Sequence, residues 1–273
     1  SYIFTFIGIS NVAEKGVIPD SVIWSFYIGA AILILCVIYT TSKVKEWNPQ
    51  EYAEYNGNSE NSEYSEKSET SGNWFTLLRK APATFWKVGL VQFFCWAAFL
   101  YMWNYSTGAI AETVWNSTDP ASEDFQAAGN WVGVLFAVQA IGSVIWATVL
   151  PLFKNIKMAY TVSLLIGAVG FAMVPFLHDQ YMQFIPFLLI GCAWAAMLAM
   201  PFTIVTNALQ GYGHMGAYLG LFNGTICIPQ IIAALCGGIV LSLVGSHQST
   251  MMIVSGVLLI VGAVCVTIIR EKR

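Results

Sequence analysis

Long apolar runs alternate with short polar breaks along most of this chain. Seven runs, at about 22–41, 84–108, 129–151, 158–177, 183–206, 216–243 and 250–269, reach the roughly 20 residues needed to cross about 30 Å of hydrocarbon. Backbone groups in lipid must be satisfied within a helix or a closed barrel. Runs such as Ala30–Val37 do not alternate apolar with polar residues, as barrel strands would. The pattern therefore predicts seven transmembrane helices. Ser1–Ile9 is also apolar but too short to span. It reads as the end of a helix whose beginning is missing, so the chain is expected to be part of a longer protein.

Composition agrees with the pattern. Of 273 residues, 57% are hydrophobic and only 10% charged, against about 25% charged in soluble domains. The net charge of -3 argues against a nucleic-acid partner, whose phosphates need basic residues. The six cysteines (Cys36, Cys95, Cys192, Cys227, Cys236 and Cys265) all fall in apolar runs. Without CxxC pairs or histidines at ligand spacing, they read as small buried hydrophobes, with no disulfide or metal framework.

Between residues 44 and 81 the composition changes abruptly. Glu51, Glu54, Glu60, Glu63, Glu66 and Glu69 recur among Ser, Asn, Gly and Tyr, and such a segment is expected to be flexible or weakly helical. Residues 1–42 are read as the end of one helix plus a full span, 43–82 as an acidic linker, 83–270 as a six-helix unit and 271–273 as a tail. Basic residues orient the spans. Lys43, Lys45, Lys67, Arg79, Lys80, Lys87, Lys154, Lys157, Arg270, Lys272 and Arg273 fall on one side if the spans alternate, and Lys15 alone on the other. The linker and C-terminus are expected to be cytoplasmic.

Charge at membrane depth usually marks function, and here it is missing. Glu112, at one end of the second span, is the nearest acid, and His178, His214 and His247 lie in loops. No proton relay, ion cage or hydrolytic dyad can be assembled, and no phosphate loop, HExxH or GxSxG motif occurs, so an enzyme is not expected. The sequons at Asn104, Asn116 and Asn223 carry little meaning, because the third lies inside a span.

Neutral polarity and aromatic rings remain. Gln92, Trp96, Phe99 and Trp103 follow i, i+4, i+7, i+11 spacing on the second span, with Asn104 beside them. Amides bond hydroxyls and indoles cover apolar C–H faces, which is the chemistry that a sugar requires. The fifth span adds Trp194, Pro201 and Asn207, and Gln139 and Ser143 share a face of the third. On the sixth, Asn223 and Gln230 lie on nearly one face with Pro229 between them. Gly216, Gly220 and Gly224 there form a small-residue ridge that suits close approach by another helix.

With these residues in view, the chain resembles the C-terminal part of a major facilitator superfamily transporter, closest to the glycoside–pentoside–hexuronide:cation symporters and sucrose transporters. The likeness rests on Gln92-Phe-Phe-Cys-Trp96 through Met102-Trp-Asn-Tyr-Ser-Thr-Gly-Ala-Ile-Ala111, on Gly191-Cys-Ala-Trp194 through Met200-Pro-Phe202, and on Gly213-His-Met-Gly216-Ala-Tyr-Leu-Gly-Leu-Phe-Asn223 through Ile228-Pro-Gln230. Pro19-Asp20-Ser21 and Phe26-Tyr-Ile-Gly29 are similar to the join between the fifth and sixth helices in bacterial members. One departure is the 208–215 loop, which lacks the Lys or Arg common there.

The resemblance implies an all-α fold of twelve helices in two halves, with the seven spans as helices six to twelve. Helices seven and ten line the cavity, which makes Gln92, Trp96, Trp103, Asn104, Trp194 and Asn207 the expected substrate-binding residues. Gln139, Asn223, Pro229 and Gln230 are expected at the gate between halves. The expected cargo is a sugar, moved with a proton, or alternatively Na+, whose coupling carboxylate lies in the missing N-terminal half. That half and the lipid bilayer are the implied partners, and a bacterial inner membrane is the implied location. No cofactor or metal is expected. The competing readings are a non-transporting sensor with the same fold and a sodium-coupled carrier of another small polar solute.

Overall fold

The structure, a computed structural model, describes residues 7–9, 20–44, 74–210 and 215–269. The expectations for Ser1–Phe6, for residues 45–73 of the linker, for His214 and for the tail lie outside these residues. The chain divides into two compact units, Ser1–Gly72 and Asn73–Arg273.

In the first unit, α1 (Asp20–Lys43) is an apolar helix of 24 residues. Asp20 in its first turn and Lys43 in its last complement the helix dipole. Its hydroxyls bond inward: Ser25 to Ser21 O, Thr40 to Cys36 O and Ser42 to Ile38 O. The hydrogens of these three hydroxyls are thereby not left bare toward an apolar surround.

The second unit begins with the short helix α2 (Trp74–Lys80), so the end of the linker region is helical. The spans follow as α3 (Ala83–Val114), α4 (Glu123–Val149), α5 (Ile156–Met173) and α6 (Phe184–Ala208). The last two are α7 (Met215–Phe222) with α8 (Gly224–Leu243), and α9 (Gln248–Thr267). All described elements are helical, and with α1 seven segments are long and apolar enough to cross a membrane. The end of the unit holding the α4–α5 connection is called here the linker end, and the other the far end.

Polar residues at the helix ends do the work of punctuation. Ser122 Oγ accepts from Phe125 N–H at the start of α4 and Asn155 Oδ1 from Met158 N–H at the start of α5, each at 3.1 Å. Helix α9 borrows its cap from α3: Glu112 accepts the Gln248 and Ser249 N–H groups, both at 2.9 Å. The acid nearest to a span thus holds two far ends together. His178 Nδ1 lies 2.9 Å from Thr113 O, where it must donate, and ties the α5–α6 connection to the same end.

Between spans, glycines set the spacing. A Cβ at Gly191 of α6 would overlap Gln139 O of α4 and come within 2.8 Å of Ser143 N; one at Gly142 would meet Leu188 Cα at 3.0 Å. Ser143 Oγ donates across this seam to Gly191 O at 2.9 Å and within its own helix to Gln139 O at 3.0 Å. Gly170 would meet Pro186 O of α6 at 2.7 Å, and Gly256 of α9 would meet Ala168 O at 3.0 Å.

Two expectations change, and the sixth span carries a break. Among the described residues the ridge of Gly216, Gly220 and Gly224 packs on no other helix: a Cβ at either of the first two meets nothing within 4 Å. The sixth span is interrupted at Asn223, while Pro229 sits inside α8. Asn223 N–H is shared between Leu219 O and Gly220 O, and Ile226 N–H bonds back to Asn223 O. This tight turn falls where two glycines weaken the helix. Finally, Cys95, Cys192 and Cys265 are buried but Cys36, Cys227 and Cys236 are exposed. An apolar thiol loses nothing on a lipid-facing surface, since lipid is as apolar as a core.

Close contact at the α4–α6 seam makes Gly191→Ala destabilising by about 1–3 kcal/mol through overpacking. Gly220→Ala, with open space around it, should be neutral or slightly stabilising because alanine favours helix. Thermal unfolding of the two variants in detergent checks this, and equal behaviour would contradict the packing described.

Candidate functional site

The face of α3 that carries Gln92, Trp96, Phe99 and Trp103 is graded along its length. At the linker end an aromatic cluster closes it. The Phe85 ring lies 5.5 Å from that of Phe222 and 6.3 Å from that of Tyr218, and Phe222 lies 5.5 Å from Phe202 of α6. Phe85, Gln92 and Phe99 are fully or almost fully buried. Toward the far end the face opens: Trp96 is 7% exposed and Trp103 39%.

Helix α6 contributes Trp194, which completes an aromatic group around this face. Its ring lies 5.0 Å from Phe99, 5.6 Å from Trp103 and 5.8 Å from Trp96. Trp96 and Trp103 are 6.3 Å apart. These are tilted and edge-to-face contacts, the arrangements that ring quadrupoles prefer. Phe171 of α5 backs Phe99 at 5.7 Å. The three tryptophans expected from the sequence therefore do converge.

The polar atoms of this face are unusual for their burial. Gln92 is 0% exposed, and among the described residues neither Nε2 nor Oε1 has a hydrogen-bond partner. Trp96 Nε1 has none either. Other polar side chains in the spans are paired, as where Trp146 Nε1 donates to Ser163 Oγ at 2.8 Å and Thr113 Oγ1 to Ala109 O at 2.8 Å; at the start of α6, Gln183 Oε1 is likewise buried without a partner among the described residues, although its Nε2 donates to Val174 O and Leu177 O. Leaving a buried donor or acceptor unpaired costs about 1–3 kcal/mol, so Gln92 and Trp96 stand out as groups held ready for a partner.

The other expected residues sit apart from this group. Asn104 is exposed, one residue and about 100° around α3 from Trp103. Asn207, also exposed, follows Trp194 by 13 positions, about 20 Å along α6. Gln139 is buried at the α4–α6 seam, where its carbonyl crowds Gly191. Asn223 is exposed at the break, Gln230 is half-buried and Pro229 is buried. What α8 presses on α3 is Thr225, whose Cγ2 lies 3.0 Å from the Cβ position of Gly89.

Sequence reasoning missed two features. Phe99, named on the face, is as central to the aromatic group as the tryptophans. A cleft of about 540 Å³ between α4 and α6 also has Trp194 in its wall. Small residues at Gly142, Ser143 and Gly191 were the signal for the seam beside it, but no periodicity announces a cleft. Among the described residues no cluster of three or more His, Cys, Asp or Glu could hold a metal ion.

No curated protein matches this chain. A family model does: that of the Major Facilitator Superfamily covers residues 13–234, most of the sequence, ending inside the sixth span. The chain belongs to the Major Facilitator Superfamily and is an integral, multi-pass membrane protein of a transporter family.

Proposed function

We propose that this protein is a secondary active transporter of a neutral sugar, coupled to a cation, with H+ favoured over Na+. The observation that carries the reading is the unpartnered Gln92 amide on one face with Trp96 and Trp103. A hydroxylated ring would give that amide both a donor and an acceptor while an indole covered its apolar face. No Asp, Glu, Lys or Arg occurs in α3 between Lys87 and Glu112 or in α6, which suits an uncharged cargo. The coupling carboxylate is assigned to a second six-helix half, against which this unit rocks about a midplane site. The basic residues around the linker and the C-terminus support a cytoplasmic side for both. Asn104 and Asn207 are assigned to outer and inner reaches of the cargo path, and Gln139, Asn223, Pro229 and Gln230 to its gating.

Transport requires release, so an affinity near millimolar, about -4 kcal/mol, is enough. Removing one stacking surface should then be plain in the kinetics. Trp103→Ala in the intact transporter is expected to raise the half-saturating sugar concentration about tenfold, a loss of about 1.4 kcal/mol. Uptake across a sugar panel in proteoliposomes checks it, and unchanged kinetics for every sugar would remove Trp103 from the site. Gln92→Leu carries an opposite pair of signs. Without cargo it should stabilise the protein by about 1–3 kcal/mol, because an unpaired amide is gone. Sugar uptake should fall, whereas a purely structural Gln92 would lose stability instead.

A further inference from the structure

Charge in the six-helix unit is sorted by end. Among its described residues the bases, Arg79, Lys80, Lys87, Lys154 and Lys157, all lie at the linker end, and the acids, Glu112, Asp119, Glu123, Asp124 and Asp179, all at the far end. Lys157 is committed, since its Nζ donates to Ile269 O at 2.9 Å. Arg79, Lys80 and Lys154 are exposed, and no carboxylate among the unit's described residues shares their end.

Helix α2 carries Arg79 and Lys80 in its last turn. Seven residues are too few to hold a helix in water unaided. Leu77 and Leu78 pack one side of it on the core of the unit. Its first residue is left outside: Trp74 is 61% exposed, and Trp86, in the first turn of α3, is 53% exposed. The depth of α2 follows from α3. At 32 residues that helix is about 48 Å long, well over the roughly 30 Å of hydrocarbon, so it reaches into the headgroup layer. Lys87 marks the border at this end, because a charge in hydrocarbon is disfavoured. From Lys87 back to Ala83 the helix rises about 6 Å. That keeps Trp86 and the adjoining end of α2 within the headgroup layer, about 5–8 Å deep on each face.

Indoles are favoured at that level, and bases there meet lipid phosphates. We propose that α2 is an interfacial anchor: Trp74 and Trp86 seat in the headgroup layer at the linker end, and Arg79 and Lys80 hold the headgroups of anionic phospholipids. The partner is a bilayer lipid, because a free anion in water would give the two exposed indoles nothing to cover them. Anchoring is independent of the cargo, so it stands or falls apart from the sugar reading.

Spin labelling of the full chain in nanodiscs tests this. With the six native cysteines replaced, a nitroxide at Trp74→Cys takes the place of the indole. One at Thr118→Cys, exposed in the α3–α4 connection at the far end, serves as the aqueous control. In discs of equal parts phosphatidylcholine and phosphatidylglycerol, the label at 74 should be relaxed more by oxygen, which concentrates in lipid, than by a water-soluble nickel chelate. The label at 118 should show the reverse. In discs of phosphatidylcholine alone, the ratio of seated to lifted label at 74, read from the two-component spectrum, should fall. Each base near an anionic surface changes such an equilibrium about fivefold, so Arg79→Gln with Lys80→Gln should lower the ratio about 25-fold in the mixed discs. Arg79→Lys with Lys80→Arg keeps both charges and should leave it within about twofold. Equal access of the nickel chelate to both positions in the mixed discs would overturn the anchor. A label at 74 that prefers oxygen but keeps one ratio in both kinds of disc and in the glutamine variant would overturn the assignment to anionic lipid.

Discussion

Hydrocarbon offers no hydrophobic force to press helices together, so the six-helix unit depends on how closely its backbones can approach. Helix α6 is the case on which the rest turns. Gly191 and Gly142 let it touch α4 almost backbone to backbone, and Ser143 fastens the seam with a hydrogen bond to Gly191 O. On its other side Ala193 fills the space over Gly167 of α5, and Pro186 O lies against Gly170. Trp194 is three residues, just under one turn, from Gly191. The same contacts that fix α6 therefore fix the indole that meets Phe99, Trp96 and Trp103. Moving α6 outward by the width of one methyl would take this ring away from α3.

Polar groups show a matching economy. Serine and threonine hydroxyls in the spans donate to carbonyls a turn back, as at Thr113, Ser163 and Ser255. Glu112, the acid nearest to the membrane interior, is committed to the first turn of α9. Against this background the unpaired amide of Gln92 and indole N–H of Trp96 are two exceptions on one face, whereas Gln183 at the start of α6 leaves only its Oε1 unpaired. Unsatisfied polar atoms beside an aromatic wall are a stability cost that binding would recover, and this is the physical sense in which the face is a candidate site. Such sites conflict with the general rule that every buried polar group is paired, and that conflict makes them visible.

Most of the architecture was legible because its causes are local. Run length and hydropathy give the spans, and the caps at Ser122 and Asn155 begin α4 and α5 where polar residues interrupt the apolar runs. The spacing of Gln92, Trp96 and Trp103 on one helix placed them together, and the family resemblance brought in Trp194 from α6. Nonlocal facts were not legible. Gly216, Gly220 and Gly224 formed the more regular small-residue pattern, yet Gly142, Gly167 and Gly191 make the close contacts, since a ridge acts only where a partner helix crosses it. The break at Asn223 depends on a 3-10-type turn that Pro229 does not force. Asn207 shares the polar character of the site residues but lies far along α6 from the indoles, a separation that composition cannot express.

The central claim is that the Trp103 end of the α3 face is the wall a neutral sugar meets. It is tested most directly by accessibility. With the six native cysteines (Cys36, Cys95, Cys192, Cys227, Cys236 and Cys265) replaced, a single cysteine at position 103 can be labelled with a water-soluble maleimide in the intact transporter. The account predicts that labelling proceeds without sugar and is slowed in a saturable manner by a transported sugar, over the concentration range that half-saturates uptake. Labelling that proceeds at the same rate with and without saturating sugar would contradict it.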